Sequence, residues 1–380
     1  MEEKEHGIVI KKVIDATEGE LGYLNLVENI INYGTFKEPA RSNMPRTKSL
    51  FGNMLKFDLR KGFPLFTTKK MFTKGMVAEL LWFMSGNTNV RKLAEQGVTK
   101  FWHQDAYNFY KKHLMQNTVN WLLPYEEWCE ALMHDDSLGI CGKIYGYQWR
   151  RFNGKHDQLL EVIRDIICNP YGRYKVITAW NPCDIPGQAL PACHMLVQFN
   201  CRPMEFGERL EWLYEHMPEQ YDILKDTPVK HMHAVNKNMN ALGVPKMWLD
   251  ASMTQRSADM MLGVPINIAS YSLLLSIIAY MTNCQPGWFT WFGNDCHVYE
   301  HHIETARIQI AREPYEPCKL SLDKVCCRQL DAVDINEFGS SDLDTVVDSM
   351  EIDDFKFENY KHHDALQFEL FTGMTKPSEL

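Results

Sequence analysis

Residues 188 to 199 read QALPACHMLVQF and set Cys193 and His194 between two apolar runs. A free cysteine is among the most buried residue types and behaves as a small hydrophobe, so an inert core thiol is the plain reading of this stretch. Whether that reading holds depends on what surrounds it. YKVITAW (174–180) and CHMLVQF (193–199) have the β-branched and aromatic content of core strands, and MWLDASMTQRSAD (247–259) resembles a third. LFGNMLKFDL (50–59) alternates like a strand, and GMVAELLWFMSG (75–86) reads as a helix stopped at Gly86. ENIINYGTF (28–36) continues an N-terminal helix into the turn-rich loop KEPARSNMPRTKS, and GNDCHVYEHHIETARIQIA (293–311) passes from strand to helix.

With 380 residues, 45% of them hydrophobic, the chain can bury a large core. A net charge of −9 argues against general nucleic-acid binding, and none is expected. The eleven cysteines form no CxxC pair, disulfide framework or zinc spacing, which fits a reducing cytoplasm and no metal. The start, MEEKEHGIVIKK, lacks the apolar run of a signal peptide. Gly263 to Asn294 carries no Asp, Glu, Lys, Arg or His, but its strictly helical apolar part, IASYSLLLSIIAYM, is only 14 residues long. That length suits a buried core helix, so no membrane span is expected. Residues 201–246 read as a peripheral helical or loop insertion, 322–354 as an acidic surface elaboration, and 367–380 as an extended tail, all on one domain covering 1–380.

GFPLFTTKK, ELLWFMSGNTN, YGYQWR, ITAWNP, LPACHMLVQF, QRSAD, LGVPINIASY and DCHVYEHH follow one another in this order. Together they resemble the thymidylate synthase superfamily, over about residues 22–200, 247–310 and 355–366. The resemblance implies an α+β fold, a large twisted mixed β-sheet flanked by helices, and a homodimer formed through the sheet. It also implies transfer of a one-carbon unit from 5,10-methylenetetrahydrofolate to C5 of a pyrimidine deoxynucleotide.

Because C5 of uracil is a poor nucleophile, a thiolate must first add to C6, and Cys193 matches the family's nucleophile. Arg256 matches the arginine that contacts phosphate and sulfur, and its charge is expected to lower the thiol pKa. Glu79, inside an apolar helix, is the candidate proton shuttle, since burial raises a carboxyl pKa; its plain reading is the polar face of that helix. Tyr145 resembles the tyrosine near the C5 proton and His194 the histidine that orders water around O4, each with a structural role as the alternative.

Asn267 can accept from uracil N3–H and donate to O4, the reverse of what cytosine needs, so dUMP is the expected substrate. The same residue can cap a helix. The resemblance implies that Arg256, Ser257, Arg41 and Arg173 hold the phosphate, the last supplied by the partner subunit, with Gln255 as a further substrate contact. His297 and Tyr299 resemble the deoxyribose contacts; Asp259, Leu262 and Gly263, with Trp102 stacked nearby, resemble the pterin site, Asp259 also counting among the catalytic residues.

One departure bears on the product. FWHQDA (101–106) places Asp105 where synthases usually carry a second tryptophan, and His103, Gln104 and Asp105 are candidates to position water. The exocyclic methylene left on C5 accepts either hydride or water, and a wetter site favours water. Hydration to 5-hydroxymethyl-dUMP is therefore the leading expectation, and reductive methylation to dTMP the alternative. A catalytically idle nucleotide-binding homologue is a third reading, against which Cys193, Glu79, Tyr145, Arg256 and Asn267 stand together.

Overall fold

The computed structural model describes residues 17–39, 44–99, 101–116, 122–225, 232–322, 330 and 334–369. Arg41, tail residues 370–380 and parts of both expected elaborations lie outside them.

The centre is a six-stranded mixed sheet in the order β1-β2-β6-β5-β4-β3. Its strands are β1 (Thr35–Lys37), β2 (Thr47–Asp58), β3 (Val176–Thr178), β4 (His194–Pro203), β5 (Met247–Asp259) and β6 (Gln285–Tyr299). Only β5 and β6 run parallel; every other neighbouring pair is antiparallel. Alternation explains the layering. In β5, Leu249, Ala251, Met253 and Gln255 point into the core, while the residues between them face the other side of the sheet.

On the buried face lie α1 (Gly19–Tyr33), α2 (Thr73–Met84) and α11 (Gly263–Met281). Sixteen of the nineteen residues of α11 are buried, so it is a core helix apolar all round. It is five residues longer than its apolar run suggests. The reason is that Pro265 occupies the first turn, where a helix leaves N–H groups unused anyway.

The short helices α3 (Arg91–Glu95), α4 (His103–Gln116) and α5 (Tyr125–Leu132) fill the stretch before α6 (Tyr145–Arg151) and α7 (Gln158–Cys168). Gly146 lets α6 press against α2, since a Cβ there would stand 2.8 Å from the Phe83 carbonyl oxygen. The close approach stacks Tyr145 on Phe83 with ring centroids 4.7 Å apart.

The segment after β4 forms α8 (Phe206–His216), α9 (Pro218–Leu224) and α10 (Met232–Ala241), which bury Leu213, Val235, Met239 and Val244 in a cluster of their own. The buried Arg209 guanidinium ties α8 to the end of α10 through Asn236, Asn240 and the carbonyls of Val244 and Pro245. Helix α12 (Ile303–Ile310), the β7–β8 hairpin (Lys319–Ser321 with Lys356–Glu358) and α13 (Ser340–Asp348) complete the described chain.

Candidate active site

The topology gathers the site at one end of the sheet. Parallel β5 and β6 bring Ser257 opposite Asp295 and Asp259 opposite His297, and antiparallel β4 begins there with His194 opposite Gln255. The β4–β5 register slips between His194 and Leu196, the kind of bulge that re-aims neighbouring side chains. Cys193, one residue before β4, is consequently half-buried rather than packed in the core.

Arg256 is anchored before it meets any ligand. Its Nε donates to the Ala192 carbonyl and Nη2 to the Pro191 carbonyl, both at 2.8 Å, and the guanidinium lies over the Trp180 ring. Nη2 also stands 3.7 Å from the Cys193 sulfur. Arg256 lowers the thiol pKa as a neighbouring cation should, but it does not set the net direction. Burial pushes the Cys193 thiol above its ordinary value, Arg256 opposes this, and the Asp105 carboxylate adds to the rise. Desolvation is the largest of these effects and sets the net direction.

Tyr145 Oη accepts the N–H of Cys193 at 2.6 Å and that of His194 at 3.3 Å, so its own proton is available to donate elsewhere. Burial holds this phenol far above the usual range. Glu79, on α2, accepts the Trp102 indole N–H at 2.6 Å, and burial lifts its carboxyl to about 7 against that hydrogen bond. Trp102 takes φ +67, a left-handed conformation that costs a bulky residue about 1–3 kcal/mol. The strain sets the indole edge-on to Tyr145, Phe83 and Trp82, as one wall of the cluster.

Burial also pulls His194 down to about 4; a hydrogen bond with Asn267 opposes this, and the charge of Arg256 reinforces it. Asn267, buried on α11, accepts from Gln255 Nε2 at 3.1 Å. Asp259 Oδ1 takes the N–H groups of Met261 at 2.9 Å and Leu262 at 3.2 Å, while Oδ2 takes no bond from the described residues. That leaves one carboxylate oxygen able to accept from ring N–H groups such as those of a pterin, next to the partly exposed Leu262 and Gly263; Trp102 is partly exposed as well. His297 Nδ1 meets the Asp295 carbonyl at 3.1 Å, and its ring stands edge-on to Tyr299.

Not every candidate joins this cluster. Arg173 is exposed, on the loop before β3, outside the cluster just described. Arg46, in the same turn-rich loop as Arg41, is committed to Glu300 through Nε at 3.2 Å and Nη2 at 2.7 Å. His103 is buried with Nδ1 on the Phe101 carbonyl at 2.8 Å, and its Nε2 and the Gln104 amide nitrogen are both buried without a partner among the described residues. Of the FWHQDA polar residues, Asp105 is the one whose charge the Cys193 thiol feels.

Three further residues were not singled out from the sequence. Lys69 is buried with its ammonium on the Met261 carbonyl and over the Phe368 ring, and burial lowers it to about 8. Its signal was a lysine inside the apolar GFPLFTTKK. Tyr271 stands edge-on to His194, and Trp291 bonds Gln255; nothing in their local sequence distinguishes them from core aromatics.

Among the described residues no group of three or more His, Cys, Asp or Glu side chains is arranged to hold a metal. The profile of the family described as thymidylate synthase matches residues 21–372. Thymidylate synthase from Phytoplasma mali is 35% identical over 326 residues, covering 84% of this chain and 93% of its own. That of Francisella philomiragia is 34% identical over 359 residues, covering 91% and 97%. Mesoplasma florum thymidylate synthase is 35% identical over 305 residues, covering 79% and 88%. With site geometry, profile and relatives in agreement over most of its length, this chain belongs to the thymidylate synthase family.

Proposed function

We propose that the chain is a methyltransferase that converts dUMP to dTMP, with 5,10-methylenetetrahydrofolate as co-substrate and dihydrofolate as the second product. Bound folate supplies both the one-carbon unit and the hydride that reduces it. Cys193 adds its sulfur to C6, and negative charge develops on O4, where His194 and Asn267 stand. Glu79, poised near neutrality, exchanges a proton with that oxygen through water. Tyr145, whose oxygen is already turned to the backbone N–H groups of Cys193 and His194, is on this reading the group nearest the C5 proton that must leave. Arg256 and Ser257 take the phosphate with Arg173 of the partner subunit, and His297 and Tyr299 take the deoxyribose hydroxyl.

The observation that carries the reductive outcome is Trp102. Its strained, Glu79-bonded indole supplies the apolar cover that hydride transfer needs, and one nitrogen of His103 is already spent on the Phe101 carbonyl. This reverses the order of the two outcomes given by the sequence, and the names of the relatives favour the same reversal. Hydration to 5-hydroxymethyl-dUMP stays as the second reading, because Asp105 stands where synthases usually carry a second tryptophan and its charge is felt at the Cys193 thiol. One assay separates them: dUMP and methylenetetrahydrofolate are supplied and both products identified. dTMP with dihydrofolate is expected; hydroxymethyl-dUMP with tetrahydrofolate would establish the second reading. Failure to release tritium from C5-labelled dUMP would overturn both.

A further inference from the structure

Behind Asn267 runs a chain of hydrogen bonds whose direction is fixed by chemistry. Trp291, fully buried on β6, donates its indole N–H to Gln255 Oε1 at 2.9 Å. An indole nitrogen can only donate, so the atom of Gln255 that faces it has to be the oxygen. The other end of Gln255, Nε2, is then the donor end. It meets the Ser257 carbonyl at 2.9 Å and Asn267 Oδ1 at 3.1 Å, which spends both of its N–H groups. Because Nε2 cannot accept, the Asn267 atom facing it is also an oxygen. One lone pair of Oδ1 is thereby taken, and the Asn267 NH2 is turned to the opposite side.

The two flipped forms of an asparagine amide are nearly the same shape, so packing alone does not choose between them. Hydrogen-bond polarity does. We propose that Trp291, acting through Gln255, sets the polarity of the Asn267 amide and so selects a 4-keto, N3-protonated pyrimidine over a 4-amino one. Trp291 and Gln255 are on this account positioning residues, and Gln255 meets the base only through Asn267. The inference rests on the reading of Asn267 as the base contact in the proposed function.

The test is the ratio of dCMP to dUMP dissociation constants, measured by calorimetry on the full chain. Three variants are compared with wild type: Trp291→Phe, Gln255→Met and the double variant. Each single change is expected to lower the ratio about tenfold, because a site that no longer fixes its donors and acceptors loses discrimination. The double variant should also fall about tenfold and not about a hundredfold, since both residues act through one amide. Losses that multiply in the double variant, or ratios within about a factor of two of wild type, overturn the proposal. Replacing the Trp291 side chain by its benzothienyl isostere, which has sulfur for N–H at the same volume, guards against a packing defect. This substitution must reproduce the fall in the ratio. A wild-type protein that binds neither nucleotide, or prefers dCMP, instead defeats the function proposed above.

Discussion

Glu79 gives the site a pH signature that does not depend on assaying the reaction. Burial raises its carboxyl from 4.5 to about 7, so between those values the folded protein holds a proton that the unfolded chain has released. Stability tied to that proton is fully present below pH 4.5 and is lost as pH rises through about 7. The full shift corresponds to about 3 kcal/mol. In a Glu79→Gln variant the side-chain amide stays neutral at every pH, and its oxygen still accepts the Trp102 N–H. Urea unfolding at fixed protein concentration should therefore find the variant more stable than wild type by about 3 kcal/mol at pH 8, with the gap closing toward pH 4.5. His194 acts with the opposite sign: its pKa is depressed to about 4, so its contribution is lost as pH falls from 6.5 toward 4. Both proteins contain His194, so it cancels in the difference. A gap that does not change with pH would remove Glu79 from the role of a buried acid. At this scale the sequence was informative where residue type clashed with surroundings, as with a carboxylate in MVAELLWFM. At Cys193 it gave the cation that lowers the thiol pKa but not the burial that outweighs it, because a neighbouring cation is visible in a motif whereas the depth of burial is not.

At the scale of elements, α13 is more firmly attached than its acidic sequence suggests. Arg150, at the end of α6, is buried and lies 2.9 Å from Asp157, whose carboxylate also caps α7 through the Leu160 N–H. Asp344 of α13 stands 2.8 Å from the same guanidinium, and Ser340 donates to Asp157 at 2.8 Å. The acidic segment thus closes over the joint between α7 and the helix that carries Tyr145. Arg150→Met leaves Asp157 buried without a counter-charge and should cost about 3–5 kcal/mol in urea unfolding. Asp344→Ala touches a half-exposed carboxylate and should cost less than about 1 kcal/mol. Equal losses would mean that the pair is not the element that holds α6. Strands were the legible elements, since period-two burial leaves a direct trace in β2, β5 and β6. Helices α4, α5 and α13 left little trace because their apolar residues are sparse: α13 buries only Leu343 and Val347, four residues apart among acids and hydroxyls.

For the whole molecule, the exposed face of the sheet and the loop before β3 point to the same arrangement. Phe51 is 77% exposed, and Met54 pairs across the strands with Phe292, itself 41% exposed, so β2 and β6 present apolar side chains to the outside. Exposed apolar clusters of this kind mark contact surfaces. Arg173 and the 91%-exposed Tyr174 stand on the loop before β3, outside the site of their own chain and open to a second copy. If a twofold dimer shares its sites in this way, each site takes Cys193 from one subunit and Arg173 from the other. Cys193→Ser and Arg173→Glu should then each abolish activity alone. Mixing and refolding the two in equal amounts gives half heterodimers, and each heterodimer carries one site with both native residues. About a quarter of wild-type activity should return. Complementation of this size cannot arise within a single subunit, so a mixture that stays inactive, although sedimentation shows heterodimers, would mean that Arg173 serves no neighbouring site.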